Sequence, residues 1–339
     1  MSKILVTGGL GYIGSHTVVE LLAHDYEVVI IDNLSNSSIE VLNRIKTISQ
    51  KNPEFIKLDL REKQNVFQFF NTHTNLAGII HFAASKAVGE SVEKPLLYYE
   101  NNVNTLVYLL QNCKKHTIEN FIFSSSCTVY GEPDTLPITE DTPVKPATSP
   151  YGKTKKISEE ILQDTCSVTP LKTIALRYFN PIGAHDSGLI GELPMGIPQN
   201  LVPFITQTAI GLRKELNVFG NDYPTPDGSC IRDYIHVVDL AKAHVVALQR
   251  LLSGKNKTPF EVFNIGTGKG SSVLEVVNTF EKVTRKKLPY KIVSRRAGDV
   301  IAVYADTTKA YKELGWKAQK TLEEALLSAW KWEQKIRTQ

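Results

Sequence analysis

The feature that most constrains the fold is a glycine loop set between an apolar run and a helical segment. Ile4-Leu5-Val6 leads directly into Thr7-Gly8-Gly9-Leu10-Gly11-Tyr12-Ile13-Gly14, and helix-like residues from Ser15 to Leu22 follow. The loop contains both Gly9-x-Gly11-x-x-Gly14 and Gly8-x-x-Gly11-x-x-Gly14. Glycine is needed where a chain turns sharply, lets its backbone approach a pyrophosphate, and packs helix on strand without a Cβ. The helix that opens there offers free N–H groups and the positive end of its dipole to phosphates. A second apolar run, Val28 to Ile31, ends on Asp32, 18 residues past Gly14. An acid in this place accepts hydrogen bonds from both ribose hydroxyls of NAD and repels the 2′-phosphate of NADP. The order strand, loop, helix, strand, acid is complete, so NAD binding through Gly8, Gly11, Gly14 and Asp32 is expected.

Short apolar runs continue at 55–58, 79–82, 121–123 and 173–176, with helix-spaced segments between most of them. Such alternation predicts βαβ units and a parallel sheet buried on both faces. The expected fold class is α/β, a Rossmann-type doubly wound parallel sheet. Asp59, just past the third run, is expected to meet the adenine amino group. The small residues that follow the fourth run, at Phe82-Ala83-Ala84, would let a cofactor lie against the backbone. His81 lies inside that apolar run and reads as a satisfied buried histidine rather than a catalyst.

Beyond residue 180 the texture changes. Prolines at 181, 194, 198, 203, 224 and 226 interrupt it, among glycines at 183, 188, 191 and 196. Helices are predicted near 203–214, 237–252, 271–285 and 321–335, with a strand at 260–265. At 339 residues the chain is long enough for about two domains. We therefore expect a first domain over 1–180 and a smaller α/β domain over 181–339, packed tightly together, with some later segments returning to the first.

Ser149-Pro150-Tyr151-Gly152-Lys153-Thr154-Lys155 opens a helix, with Ser149 as cap and Pro150 in the first turn. Tyr151 and Lys155 are four apart and share a helix face. A phenol is a poor base at neutral pH, and a nearby ammonium is expected to lower its pKa. A positive nicotinamide would lower it further, giving a general base. The strand-like run Phe121-Ile122-Phe123 continues into Ser124-Ser125-Ser126, which places hydroxyls at the strand end where ligands bind in such sheets. Ser126 is expected to bridge a substrate oxygen and Tyr151.

Other classes are disfavoured. Lys plus Arg is 39 and Asp plus Glu 35, spread along the chain without the basic face that nucleic acid needs. The four cysteines form no C-x-x-C pair, so no metal site is expected. No run approaches the ~18 apolar residues of a membrane span. The apolar run after Lys3 ends at Gly8, too short for a secretory signal, and a cytoplasmic protein with reduced thiols is expected.

Taken together, several segments resemble the UDP-glucose 4-epimerase family of extended short-chain dehydrogenase/reductases. They are TGGLGYIGSH, Asp32-Asn33-Leu34-Ser35-Asn36-Ser37, Lys86-Ala87-Val88-Gly89-Glu90-Ser91, SSSCTVYG and SPYGKTK. Further along are Arg177-Tyr178-Phe179-Asn180-Pro181, Gly220-Asn221-Asp222-Tyr223-Pro224, Arg232-Asp233-Tyr234-Ile235-His236 and Arg295-Arg296-Ala297-Gly298-Asp299. The resemblance spans nearly the whole chain. It implies an NAD-binding first domain and a second domain that binds a UDP-sugar. It implies inversion at sugar C4 through a transient 4-keto intermediate, with Ser126, Tyr151 and Lys155 catalytic.

By the same resemblance, Tyr12, Ile13, Asn33 to Ser37, Leu60, Phe82 to Lys86, Asn101, Phe179 and the catalytic set contact NAD. Individually the middle stretches are Asn33, Leu34, Ser35, Asn36 and Ser37, then Phe82, Ala83, Ala84, Ser85 and Lys86. Lys86, Ser126, Tyr151, Asn180, Asn200, Leu201, Asn217, Val218, Phe219, Arg232, Tyr234, Arg296 and Asp299 match UDP-sugar contacts. Two arginines suit a diphosphate, since a guanidinium fork fits phosphate oxygens. Val303 matches a position beside the sugar's 2-substituent. A large aromatic there would restrict the site to glucose and galactose, whereas valine leaves room for an N-acetyl group, so UDP-GlcNAc and UDP-GalNAc are candidate substrates. A homodimer formed through a four-helix bundle is implied, with segments 90–115 and 151–166 carrying the exposed faces.

The alternative readings are an NAD-dependent nucleotide-sugar dehydratase or reductase of the same group. A dehydratase needs an acid beside the serine, and Cys127-Thr128 stands there instead. A cofactor-sensing module without catalysis would have no use for a Ser/Tyr/Lys set.

Overall fold

A computed structural model describes residues 2–296 and 299–338, so Ala297 and Gly298 of the arginine motif lie outside the described residues. The first half alternates strand and helix: β1 (Lys3–Thr7), α1 (Tyr12–Ala23), β2 (Glu27–Asp32), α2 (Glu40–Ser49), β3 (Glu54–Lys57), α3 (Lys63–Thr72) and β4 (Leu76–His81). Two short helices, α4 (Val88–Glu93) and α5 (Pro95–Tyr99), run through a π-helical turn at Glu100–Asn104 into α6 (Thr105–His116). Then come β5 (Asn120–Ser126), α7 (Pro150–Val168) and β6 (Lys172–Tyr178).

The remaining chain supplies β7 (Asn180–Ile182), α8 (Leu201–Ala209), β8 (Leu216–Phe219), β9 (Ile231–His236), α9 (Val237–Leu252) and β10 (Phe260–Ile265). Last come β11 (Gly270–Ser272), α10 (Val273–Thr284), β12 (Tyr290–Val293), β13 (Ala302–Val303) and α11 (Leu322–Thr338). Among the described residues the main sheet has seven strands in the order β10-β6-β5-β4-β1-β2-β3, and every pairing is parallel. This is the Rossmann-type α/β arrangement that the apolar runs predict. The strand order reverses between β1 and β4, which opens a crevice at their C-terminal ends.

The continuous apolar runs are explained by burial on both faces. Ile4, Val6, Val28, Ile30, Ile80 and Ile122 point to one side, against α1, α2 and α9. Leu5, Val29, Ile31, Ile79, Phe121 and Phe123 point to the other, against α3, α6 and α7. Period-two alternation sorts each strand between two apolar layers, so both sets of residues must be hydrophobic.

The later segments build a second layer system. β9 is its centre, flanked by β7, β11 and β13, while β8 pairs with β12. Val276, Val277, Phe280, Leu326 and Trp330 of α10 and α11 form its core with Ile205 and Val218. Three segments depart from this system: β10 pairs with β6 at the edge of the main sheet, α9 packs beneath that sheet against α1, and Ala310, Leu314 and Trp316 join the apolar cluster on the same side as α9.

Boundaries differ from the sequence expectation where local geometry intervenes. The helix expected near 203–214 ends at Ala209, because Gly211 adopts φ +88° and turns the chain. The helix expected from 271 starts at Val273, since Gly270–Ser272 pairs with β9 and Ser272 then caps α10 in a reciprocal box with Glu275. Of the apolar residues in the two expected dimer segments, Leu106, Leu109, Leu110 and Leu162 are core, whereas Leu96 is 80% exposed.

Candidate active site

The glycine loop joins β1 to α1 at the crevice. Gly8 has φ +68°, and a Cβ there would stand 2.8 Å from the Ala83 nitrogen. At Gly14 a Cβ would lie 2.2 Å from the Gly8 carbonyl oxygen, so no side chain fits beneath the turn. Asp32, at the end of β2, accepts hydrogen bonds from the backbone of Leu10 (3.1 Å) and Leu34 (2.9 Å) and from the Ser37 hydroxyl (2.7 Å). Leu34 is held at φ +62°, a conformation disfavoured for leucine and enforced by this clamp. The carboxylate is thereby aimed over the glycine loop before any ligand arrives.

Asp59 lies two residues past the end of β3. Its carboxyl is held low, at about 2, first by the hydrogen bonds of Arg61, with Asn33 adding a contact at 3.1 Å. Across the crevice, Thr7 bonds His81 Nδ1 at 2.7 Å, and burial pulls that imidazole down to about 3, so His81 is neutral and structural. Ser85, after β4, is pinned by three hydrogen bonds from two neighbours. Asn101 Nδ2 donates to its hydroxyl (2.9 Å), while Asn102 accepts from its N–H (2.8 Å) and donates to its carbonyl (3.0 Å).

Ser126, Tyr151 and Lys155 meet at the C-terminal end of β5. Ser149 caps α7 by accepting from the Gly152 N–H at 3.2 Å, a contact that contributes about 1 kcal/mol and fixes where Tyr151 sits. Lys155 Nζ donates to the Ser124 carbonyl at 2.7 Å and lies 5.9 Å from the Tyr151 ring centroid. Both side chains are nearly buried, at 7% and 4% exposure. The expectation that the lysine lowers the tyrosine's pKa is not met. Burial raises the Tyr151 phenol, Tyr178 adds to the rise, and the Ser126 hydrogen bond opposes it. Burial also draws Lys155 down to about 8, and its ammonium is spent on Ser124. A phenolate at this position needs additional positive charge.

The residues expected to meet the UDP-sugar lie mostly in the later segments. Arg232 on β9 and Arg296 after β12 both point to Asp299 Oδ1, at 3.5 and 2.7 Å. Arg296 also lies 5.7 Å over the Phe219 ring. Val303 on β13 is in register with Arg232 and packs in a cluster with Val129, Tyr130 and Phe179. Asn180 on β7 pairs with Tyr234 on β9. Val218 and Tyr234 turn their side chains into the core, so Val218 can meet a ligand through its backbone alone. Asn217 and Phe219, on the other face of β8, are exposed. Lys86 and Asn200 come together on Glu192, at 3.4 and 2.6 Å.

Several residues of the site were not visible as such in the sequence. Glu192 has no motif around it. Asn102 hides beside Asn101 in the π-helical turn. Glu159 does carry a signal, an acid eight residues past Tyr151 on one helix face. A cavity of about 570 Å³ lies outside this site, between β3 and α3, and shares only Asn33, Ser35 and Asp59 with the expected cofactor residues.

The residues present fit NAD. The cradle excludes a Cβ at Gly8 and Gly14, an oriented carboxylate stands at the end of β2, and a buried lysine reaches the crevice.

Comparison with known proteins agrees. The family model described as GDP-mannose 4,6 dehydratase matches residues 5–328. The UDP-glucose 4-epimerase of Dictyostelium discoideum is 53% identical over 332 residues, covering 98% of this chain and 95% of its relative. That of Bacillus subtilis is 52% identical over 331 residues, 97% of this chain and 96% of the relative. Among solved structures, UDP-glucose 4-epimerase from Stenotrophomonas maltophila, with bound NAD and formylated UDP-arabinopyranose, superposes with a TM-score of 0.96 at 44% identity, covering 100% and 99% of the two chains. The enzyme from Bifidobacterium longum, in complex with NAD+ and UDP, gives 0.94 at 47% identity, covering 99% of each chain. The chain belongs to the UDP-glucose 4-epimerase family, within the extended short-chain dehydrogenase/reductases.

Proposed function

We propose that this protein interconverts UDP-glucose and UDP-galactose by inverting the configuration at sugar C4. The observation that carries the reading is the meeting of Ser126, Tyr151 and Lys155 beside a glycine cradle that fits NAD. Gly8, Gly11 and Gly14 would receive the pyrophosphate and Asp32 the adenosine ribose, with Asp59 and Leu60 at the adenine. When bound, NAD supplies a reversible hydride acceptor at C4, so inversion needs no net redox change.

The chain's own residues do the rest. Tyr151 takes the proton of the 4-hydroxyl and later returns it, while Ser126 holds the same oxygen. Lys155 brings positive charge beneath the phenol. Arg232 and Arg296 clamp the diphosphate, a role suited to the guanidinium fork. Asn180, Asn200, Leu201 and the strand at Asn217 to Phe219 hold the rest of the ligand. A firm grip on UDP and a loose grip on the hexose let the 4-keto sugar turn over and present its other face. Val303 leaves space beside C2, and from this we infer turnover of UDP-GlcNAc and UDP-GalNAc as well.

We assign residues 1–180 to the NAD-binding domain and 181–339 to the UDP-sugar domain, with α9 and β10 returning to the first. We further propose a cytoplasmic homodimer. Exposed Val88, Val92 and Leu96 on α4 and α5 support the dimer, which light scattering of the purified protein would refute by reporting a monomer mass. Among the described residues no helix is long and apolar enough to cross a membrane.

The test is product analysis with UDP-galactose and no added NAD. UDP-glucose should form, and NAD should be released on denaturing the protein. If no product forms even after NAD is supplied, the reading is wrong and the dehydratase and reductase alternatives return. The Cys127 that stands beside Ser126 speaks against a dehydratase, since burial raises its thiol to about 12 and leaves it unable to serve as the acid.

A further inference from the structure

Tyr151, Lys155 and Glu159 stand at four-residue intervals on α7 and form one stripe of a single helix face. The Glu159 carboxylate is buried, with 6% exposure. It accepts from the Ser125 hydroxyl and from Arg177, whose Nε lies 3.0 Å away. The Arg177 guanidinium sits 4.7 Å over the Tyr130 ring, and Tyr130 in turn donates to Asn264. Glu159 therefore touches the residue next to Ser126 on β5 and stands one turn from Lys155 on its own helix.

A buried carboxylate needs partners, and Arg177 with Ser125 would suffice for that. Its position relative to the lysine adds something more. Lys155 Nζ meets an uncharged acceptor, the Ser124 carbonyl, and lies 4.8 Å from the Phe123 ring centroid. The other titratable groups around the lysine and its tyrosine are His81 on β4, Cys127 after β5, Tyr178 on β6 and Tyr98 on α5, all uncharged at neutral pH. A buried ammonium with no anion nearby tends to lose its proton.

Resting on the reading of the site given above, we propose that Glu159 is a positioning residue for this reaction. Its carboxylate supplies the negative charge that keeps Lys155 as an ammonium against the Ser124 carbonyl, and fixes Ser125 beside Ser126 at the same time. The balance of effects on Lys155 agrees: burial lowers it and Glu159 opposes the fall.

The test compares wild type, E159Q and E159Q/R177Q, each as purified with the cofactor it retains. One readout is the pH dependence of kcat with UDP-galactose. The other is titration of the Lys155 Nζ signal in 15N-lysine-labelled protein, assigned with K155M. E159Q strands Arg177 and is at risk of misfolding. The double variant replaces an ion pair by two neutral amides, and folds often tolerate removal of both partners. We expect the Nζ titration and the alkaline limb of kcat to move to lower pH by about one pH unit or more in both variants. KM should change by less than about threefold.

An unchanged Nζ midpoint in E159Q overturns the proposal. So does a double variant that regains the wild-type midpoint, since Glu159 would then be only the partner of Arg177, and so does a double variant that cannot fold. A wild-type protein without epimerase activity would sink the functional reading instead, and the Nζ midpoint would still decide what Glu159 does to Lys155.

Discussion

Arg232 and Arg296 direct their guanidinium groups at one oxygen of Asp299, 3.5 and 2.7 Å away. One arginine belongs to β9 and the other to the segment after β12, so the carboxylate sets the spacing of two cations from separate parts of the chain. Without it they repel and lose register. D299N is expected to raise the KM for UDP-galactose about tenfold, the worth of one charged hydrogen bond, with kcat changed by less than about twofold. Steady-state kinetics decide it, and an unchanged KM would remove Asp299 from ligand holding.

Tyr151 carries the proton transfer in our reading. Y151F should lower kcat by about 10²- to 10⁴-fold while leaving NAD bound. Quantifying NAD in the purified variant separates the two effects. Full activity in Y151F would transfer the base role elsewhere.

Val303 governs bulk beside the sugar ring in the proposed pocket. V303Y should cut UDP-GalNAc turnover by about 100-fold or more and keep UDP-galactose turnover within about tenfold, as expected when a site loses space rather than chemistry. Equal losses on both substrates would show that the strand had been disrupted instead.

Four buried histidines make the fold acid-sensitive. Burial holds His16 and His81 at about 3 and His236 and His244 at about 4, all below the ordinary 6.5. Each is neutral in the fold and takes a proton when the chain unfolds. Their contribution to stability is complete above pH 6.5 and is lost as pH falls from there toward 3 to 4. His236 shows why: its Nδ1 accepts the Val238 N–H that caps α9, which a protonated ring cannot do. Each histidine adds about 1.4 kcal/mol of lost stability per pH unit in that window. Urea unfolding between pH 7 and 4.5 should therefore show a shallower pH slope in H244F than in wild type, and an identical slope would exclude His244 from the effect.

The strands of the main sheet were legible because burial on both faces leaves uninterrupted apolar runs, and Gly8, Gly14 and Asp32 were legible because the turn tolerates few alternatives. The later half was harder. β7, β11 and β13 are three, three and two residues long, too short to carry a period. Tyr151 illustrates a different limit. Its spacing to Lys155 is written in the sequence, yet the direction of its pKa depends on burial, and burial is a property of the packed molecule. Glu192 gathers Lys86 and Asn200 only because the proline-rich segment after β7 returns to the loop after β4, and no local pattern encodes that return.

The chain passes between its two layer systems at β6 to β7, at β9 to α9 and at β10 to β11, and the segment 310–316 returns to the main sheet before α11 rejoins the second system. These five crossings act as a seam. Tyr12, which donates from the glycine loop to the Gly183 carbonyl at 2.6 Å, adds a further tie. A molecule sewn in this way has little freedom to hinge, so presenting the opposite face of the sugar falls to the ligand's own bonds. The scaffold is a fixed frame in which the small molecule supplies the moving part.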